Sequence, residues 1–294
     1  MMKRNNFPFS AVLGLNHAKT AILIVLVNPR AGGLLISGPR GIGKSTLMRS
    51  TQELIERPWR DIPVSVTEDR LFGTIDTEKA IYSGQKKLYP GIINEADQGV
   101  LYLDDANLLR EDLLDSILNI AEVGAYQLER DGLSLRCDTS FTVIAAINPE
   151  SGMLSGACLD QFGLFVNVDN IHDENTRVEI LKRTISFEKD CASFCNLWKL
   201  ENEKIKKAIH SAMSLLPKVV VSSAMIQLAS VYALKAHVSG HRADIYLIEA
   251  ARALAALAER RYVLPKDLEK AAEFVLPHLS LIHISEPTRL LSIS

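Results

Sequence analysis

Apolar runs of strand length alternate with longer stretches of helical periodicity over the first 185 residues of the chain. The apolar runs cover residues 34–36, 99–105, 141–147 and 164–168. One helix is predicted before these runs, over residues 16–27, and two between them, over residues 47–56 and 108–123. Strands that alternate with helices are typical of α/β domains. We therefore predict an α/β domain over residues 1–185.

After Asp173 the pattern is helical. Apolar residues recur at helical spacing up to Pro217, which ends that helix. Further helices are predicted over residues 222–236, 242–260 and 266–274. No strand pattern of comparable strength returns, so we predict a small all-helical domain over 190–278. Residues 190–198 are expected to form an irregular junction between the two domains.

Two segments depart from this simple plan. Residues 63–90 are polar and turn-rich, and a segment of this length without periodicity is usually functional or an insertion. Residues 124–135 alternate and contain Arg130-Asp131-Gly132, in which Asp-Gly is the stronger hairpin signal. We predict a hairpin at the second of these segments.

Composition and charge limit the possible partners. The chain has 294 residues, a formal net charge of −2 and no long run of one sign, which gives no reason to expect nucleic-acid or membrane-surface binding. Its four cysteines form no Cys-x-x-Cys pair, so reduced thiols of a cytosolic protein are the plain interpretation. The start lacks a signal-peptide pattern, and the most hydrophobic segment, 21–27, is too short to span a bilayer. We expect a cytoplasmic location.

A phosphate-binding loop follows the first predicted strand. The sequence fits G-x-x-x-x-G-K-[S/T], with glycines that let backbone N–H groups face a phosphate at a helix N-terminus. In that pattern the lysine reaches the β- and γ-phosphates, and the serine hydroxyl ligates Mg²⁺. A glycine-rich turn with a chance lysine is the alternative, but the flanking strand and helix favour ATP binding. The expected binding residues are Gly38, Pro39, Arg40, Gly41, Ile42, Gly43, Lys44, Ser45 and Thr46.

Two further strands end in polar residues of a type that ATP hydrolysis requires. Asp104 and Asp105 follow an apolar strand in the Walker B pattern, in which the first acid holds Mg²⁺ and the second orients the attacking water. Asn148 ends the next strand, where an amide can touch the γ-phosphate or its water. The alternatives are two aspartates that cap the following helix and an ordinary Asn-Pro turn.

Taken together, these motifs resemble the ATPase subunit of magnesium chelatase, a member of the AAA+ family. The resemblance runs from residue 7 to about residue 278. Its most selective stretches are Thr67-Glu68-Asp69-Arg70 and Gly240-His241-Arg242-Ala243-Asp244. The other matching stretches are Phe7-Pro8-Phe9, the phosphate-binding loop, Gly73-Thr74, Tyr89-Pro90-Gly91, Leu101-Tyr102-Leu103-Asp104, Glu129-Arg130-Asp131-Gly132 and Asn148-Pro149-Glu150.

The resemblance implies a parallel-sheet nucleotide domain with a helical lid, and a homo-oligomeric ring with ATP between neighbours. It also implies a motor that drives insertion of magnesium (or cobalt) into a porphyrin, with two partners: a von Willebrand A-domain subunit and a large porphyrin-binding subunit. By this resemblance Asn148 is similar to sensor 1, and Arg242 to sensor 2, which contacts the phosphates. The segment 127–135 resembles the hairpin inserted before sensor 1.

Two positions depart from the family pattern. The second Walker B acid is usually glutamate, whereas Asp105 is one methylene shorter. The family's Leu-Asp-Arg-Phe-Gly stretch carries Gln161 in place of the arginine that is the candidate finger for the neighbouring site. Because an arginine finger can be worth roughly 10³–10⁵ in rate, we expect binding to survive better than hydrolysis and turnover in isolation to be slow. A partner's arginine or Arg177 could supply the missing charge.

Two other functions stay open at this point. One is a MoxR-type AAA+ chaperone that acts with a von Willebrand A-domain partner, and the other is a structural ring subunit that binds ATP with impaired hydrolysis. Residues 279–294 do not resemble the family and can be back-translated into the adapter of a transposon-based sequencing library. We expect this tail to be non-native and exclude it from the fold prediction.

Overall fold

Five parallel strands form the central sheet in the computed structural model, which describes residues 6–75, 88–130, 133–238 and 240–281. The strands of the described residues are β1 (Leu34–Ser37), β2 (Trp59–Ile62), β3 (Gly73–Ile75), β4 (Leu88–Pro90), β5 (Val100–Leu103), β6 (Ala125–Arg130), β7 (Leu133–Asp138), β8 (Thr142–Ile147) and β9 (Leu164–Asn167). The central sheet has the order β2-β5-β8-β1-β9, while β3 pairs with β4 and β6 with β7 as antiparallel ribbons.

Helices connect these strands and make up the second half of the chain. Over the described residues they are α1 (Asn16–Val27), α2 (Lys44–Thr51), α3 (Glu68–Phe72), α4 (Ile92–Glu95), α5 (Glu111–Val123), α6 (Gly156–Leu159), α7 (Glu174–Lys189), α8 (Cys191–Leu215), α9 (Ser223–Lys235), α10 (Arg242–Leu257) and α11 (Pro265–Leu281). None of the helices in the described part of the chain is long and apolar enough to cross a membrane.

Side chains of the central strands enter two separate hydrophobic clusters, one on each face of the sheet. Leu34 and Ile36 of β1 belong to the first cluster, whereas Leu35 between them belongs to the second. This division follows from the alternation of side chains along a strand. Strands that are buried on both faces read as continuous apolar runs, which is why β1, β5 and β8 are visible in the sequence.

The helical half of the chain packs directly onto one face of the sheet. Leu247 of α10 and Leu268 of α11 lie in the same cluster as Leu34. A buried polar contact supports this packing: Nδ2 of Asn28 donates to the backbone oxygen of Glu249 at 3.0 Å and to its carboxylate at 2.6 Å. The α/β and helical parts therefore share one continuous core.

The structure confirms the α/β class and most of the predicted elements. The helix predicted over 16–27 and the strands predicted near residues 34, 100, 142 and 164 are all present. The predicted hairpin is present as β6 and β7, although its turn at Asp131-Gly132 lies outside the described residues. The predicted start of α5 at residue 108 was too early, because Leu108 ends a 3-10 turn before the helix.

The predicted irregular junction at 190–198 was wrong. Asp190 interrupts the helices for one residue, and its side chain accepts from the backbone N–H of Ser193 at 3.0 Å, which starts α8. Residue 185 lies within α7. The predicted tail from residue 279 contributes the last turn of α11, and residues 282–294 lie outside the described part.

Gly163 allows the chain to enter β9 beside the start of β1. A Cβ at this position would lie 1.7 Å from the backbone oxygen of Ala31, and the Gly163 N–H donates to the Gly32 oxygen. The adjacent Phe162 is fully buried in the second cluster. The Phe-Gly part of this motif is therefore structural, while Asp160 and Gln161 precede it at the surface.

We expect Gly163→Ala to destabilise the protein by about 3 kcal/mol or more, because the clash involves two backbone segments that cannot rotate away. For a chain of this size, that corresponds to a fall of about 6–12 °C in melting temperature, measurable by differential scanning calorimetry. A fall below about 2 °C would contradict the close approach of the two segments.

Candidate nucleotide-binding site

The phosphate-binding loop joins the carboxyl end of β1 to α2 with the geometry its glycines permit. Gly41 and Gly43 have φ values of +82° and +94°, a conformation that side-chain-bearing residues rarely adopt. A Cβ on Gly38 would lie 2.5 Å from the Val168 oxygen. The loop thus presents backbone N–H groups at the start of an eight-residue helix, which is where a phosphate binds favourably.

Lys44 lies over this loop as its central cation. Its ammonium group donates to the backbone oxygens of Gly38 at 2.5 Å and Pro39 at 2.8 Å, and the residue is only 8% exposed. Burial lowers the pKa of Lys44, and the nearby charges of Asp105 and Asp104 oppose this shift. Both carboxylates are therefore within electrostatic reach of the lysine.

Ser45 and Asp104 form the oxygen-rich part of the site. Oγ of Ser45 donates to the Asp104 carboxylate at 3.0 Å and 3.3 Å to its two oxygens. Tyr102, two residues earlier on β5, donates its hydroxyl to Oδ1 of Asp104 at 2.9 Å. Burial, and then the charge of Asp104, raises the pKa of Tyr102, so the phenol stays a donor. A hydroxyl and a carboxylate are ligand types that suit Mg²⁺.

Asp105 begins a tight turn after β5. Its φ and ψ are +50° and +49°, in the left-handed region, and its backbone oxygen accepts from Leu108 at 2.8 Å. Aspartate and asparagine tolerate this region better than most residues. The site thus places a short carboxylate where the backbone favours a short polar side chain.

Asn148 ends β8, the strand between β5 and β1. The residue is 2% exposed; its Oδ1 accepts from the Glu150 N–H at 3.2 Å, and its Nδ2 donates to Oγ of Ser151 at 3.3 Å. The Gly38 N–H donates to the Ile147 oxygen at 3.2 Å, which ties the phosphate-binding loop to this strand. The ends of β1, β5 and β8 therefore bring Lys44, Ser45, Asp104, Asp105 and Asn148 to one edge of the sheet.

Arg242 is placed elsewhere. It starts α10, and its guanidinium forms an ion pair with Glu122 at 2.7 Å, with both side chains about half exposed. Glu122 lies in the last turn of α5, and Gln161 lies just before β9 begins. Both positions lie toward the amino ends of the strands, opposite the phosphate-binding loop. Arg242 and the loop of the same chain are therefore not brought together.

Arg242 and Gln161 instead line a common cavity of about 560 Å³. The charged groups around them are the carboxylates of Asp115, Glu122 and Asp160. The cavity thus combines the predicted sensor 2 arginine with the position of the missing finger, in surroundings with excess negative charge. A second arginine in this cavity could form ion pairs with these carboxylates.

Sequence reasoning missed two residues of the site. Tyr102 could have been found, because residues two apart on a strand share a face and Tyr102 precedes Asp104 by two. Asn107, whose amide bridges the turns after β5 and β8, carried no local signal. Its role depends on the pairing of β5 with β8, which brings Asn107 to Asn148 across a separation of 41 residues in the chain.

Two family models and several known proteins match this chain. Residues 33–161 match the family described as AAA domain (dynein-related subfamily), and residues 227–287 match the AAA lid domain. The chain is 33% identical to the magnesium-chelatase subunit ChlI homolog of Methanocaldococcus jannaschii, over 99% of this chain and 90% of that protein. The magnesium-chelatase 38 kDa subunit of Rhodobacter capsulatus is 33% identical over 92% of this chain and 87% of its own length. The chloroplastic magnesium-chelatase subunit ChlI of Nicotiana tabacum is 33% identical over 94% of this chain and 74% of its own length.

Proposed function

Because the chain belongs to the family of magnesium-chelatase ATPase subunits, we propose that it is the motor subunit of a complex that inserts magnesium (or cobalt) into a porphyrin. The observation that carries the proposal is the contact between Ser45 and Asp104 beneath the phosphate-binding loop. It joins the two motifs whose combination defines this class of ATPase. We propose a cytoplasmic location and no binding to nucleic acid.

The nucleotide is ATP with Mg²⁺, bound between the loop and the end of β5. Residues 38–46 would surround the phosphates, and Ser45 and Asp104 would hold a Mg²⁺ ion, which would supply positive charge to neutralise them. Lys44 leaves its loop carbonyls to reach the same phosphates. Tyr102 keeps the Asp104 carboxylate oriented toward Ser45 through its hydrogen bond.

Asp105 and Asn148 act on the reacting end of the nucleotide. The Asp105 carboxylate accepts a hydrogen bond from the attacking water and orients it, as the second acid of this pattern does. The Asn148 amide donates to the γ-phosphate or to that water. Their positions at the ends of adjacent strands, β5 and β8, support these roles.

A ring of identical subunits explains the position of Arg242. Arg242 and Gln161 share a cavity away from their own phosphate-binding loop, which supports a role for them at ATP held by a neighbour. In this arrangement the guanidinium stabilises charge in the adjacent site, and Gln161 contributes none. The ring works with a von Willebrand A-domain subunit and a porphyrin-binding subunit.

The proposal also includes a division of the chain into an α/β domain (1–185) and a helical lid (190–278).

A structural subunit with impaired hydrolysis is the second candidate. It is favoured by the same two departures, Asp105 and Gln161, which weaken the chemical step without touching the phosphate-binding loop. Membership of the chelatase family favours a chelatase role over a MoxR-type chaperone.

Steady-state ATP hydrolysis by the full chain, with Lys44→Ala as the blank, tests the proposal. We expect slow turnover above the blank and nucleotide affinity that falls at least tenfold in Lys44→Ala, because the buried ammonium group is lost from the phosphates. Tight binding without turnover would move the assignment to the structural subunit. An affinity equal to that of Lys44→Ala would contradict ATP binding at this loop.

A further inference from the structure

The turns that carry Asp105 and Asn148 are held together by the side chain of Asn107. Asn107 lies in the 3-10 turn Ala106–Leu108, two residues after Asp105. Its Nδ2 donates to the backbone oxygen of Asn148 at 3.1 Å and to that of Gly152 at 2.9 Å. One amide therefore fastens the end of β5 to both ends of the turn that follows β8.

The chemistry of this contact requires an amide. A side-chain NH₂ group has two hydrogens, and each of them meets a carbonyl oxygen here. Neither leucine nor aspartate, which match its size, can supply two donors. In the described residues, Oδ1 of Asn107 is the buried side-chain polar atom left without a hydrogen bond. An unpaired buried acceptor costs about 1–3 kcal/mol, and the two donated hydrogen bonds contribute about 0.5–1.5 kcal/mol each, so the two terms are of similar size and opposite sign.

The two turns bear the groups that act on the reacting end of the nucleotide. Asp105 is joined to the Asn107 turn through the hydrogen bond from Leu108 to its backbone oxygen, at 2.8 Å. Asn148 both accepts from Asn107 through its backbone and caps the following turn with its side chain, at 3.2 Å to Glu150. The pairing of β5 with β8 brings the two strand ends together, and the Asn107 bridge adds a side-chain link between the turns that follow them.

We propose that Asn107 is a positioning residue for ATP hydrolysis, which fixes the water-orienting carboxylate relative to the γ-phosphate amide. The inference rests on the proposed function of the site and adds a residue to it. In this role Asn107 acts through the two turns that it joins rather than on the reacting atoms. Its contribution comes through geometry, since displacing a reacting group by about 1 Å can cost about a hundredfold in rate.

Asn107→Asp tests this proposal, with Asn107→Leu beside it and Asn196→Asp, on the exposed face of α8, as the matched control. We expect kcat for ATP to fall about 10- to 100-fold in both Asn107 variants. The KM for ATP should stay within about twofold, because the phosphate-binding loop is untouched. The Asn196→Asp variant should match the unmodified protein in both constants.

The pH profile separates positioning from general destabilisation. The new carboxyl of Asn107→Asp faces two carbonyl oxygens at a half-buried position, and both effects raise its pKa. As the pH falls from 8 to 6, a growing fraction is protonated and regains one donor. The ratio of its kcat to that of the unmodified protein should therefore rise on acidification, while the ratio for Asn107→Leu stays flat.

Failure of this inference can be told from failure of the proposed function. If the unmodified protein exceeds the Lys44→Ala blank and neither Asn107 variant loses kcat, the bridge has no role in hydrolysis and the inference is overturned. If the unmodified protein shows no turnover, amide hydrogen exchange decides. Faster exchange in both 104–109 and 148–152 of the Asn107 variants supports the bridge, and unchanged exchange overturns it.

Discussion

Replacing Gln161 with arginine is expected to raise ATP turnover at least about tenfold. A full arginine finger is worth roughly 10³–10⁵ in rate, because its guanidinium stabilises the charge that develops as the γ-phosphoryl group leaves. Gln161 is polar but neutral, so it cannot supply that stabilisation. The new guanidinium would be shared with the carboxylates of the cavity, which is why the expected gain lies below the full value.

The surroundings of Gln161 accept an arginine readily. The Gln161 amide donates to the Ala157 oxygen at 3.5 Å, at the long limit for a hydrogen bond, so little is lost when it is replaced. Asp115, Glu122 and Asp160 line the same cavity and Arg242 provides one positive charge, so a second cation improves the local balance. We therefore expect the variant to fold with unchanged melting temperature.

Protein concentration gives this prediction its sharpest test. Because the residue would act on ATP held by a neighbour, the gain should appear as subunits associate and vanish on dilution. Gln161→Leu, which changes shape but not charge, is the control and should show no gain. Equal turnover in Gln161→Arg and the unmodified protein at all concentrations would show that the missing finger does not limit the rate.

Replacing Asp105 with asparagine is expected to lower turnover about 10²- to 10⁴-fold, the usual contribution of a residue that accepts a proton or orients the nucleophile. Asparagine tolerates the left-handed backbone of residue 105 as well as aspartate does, so the turn is preserved. Single-turnover hydrolysis measures the chemical step, and nucleotide fluorescence titration measures binding. ATP affinity should change less than about threefold.

Asp104→Asn provides the contrast to Asp105→Asn. It removes the carboxylate that accepts from Ser45 and Tyr102, so it should raise the Mg²⁺ concentration needed for tight ATP binding. If Asp105→Asn kept full turnover, the water would have to be oriented by another residue. If both variants behaved alike, the division of roles between the two acids would be wrong.

The elements that could be predicted are those whose structure follows from the local sequence pattern of one short segment. The buried strands β1, β5 and β8 read as apolar runs because both of their faces are covered. The edge strand β2 was missed, because Arg60 and Asp61 are exposed and leave only its ends, Trp59 and Ile62, as apolar signals. Strands β3 and β4 were missed as well, and they pair with each other outside the main sheet.

The location of Arg242 could not be read from the sequence. It depends on how the helical half docks, and that depends on contacts between residues far apart in the chain. Asn28 reaches Glu249, and Gly32 leaves room for the ring of Tyr246, to which a Cβ at residue 32 would approach within 2.3 Å. Motif spacing identifies a candidate arginine but says nothing about which edge of the sheet it occupies.

The continuous core shared by the sheet and the helices decides how such a protein can do mechanical work. A lid that pivots over its own nucleotide would have to peel Leu247 and Leu268 away from Leu34, exposing apolar surface at every cycle. The shared core therefore opposes a separate movement of the helical half against the sheet. In the proposed ring, the motion that follows hydrolysis would then arise between neighbouring subunits, where Arg242 of one chain would face the phosphates held by the next.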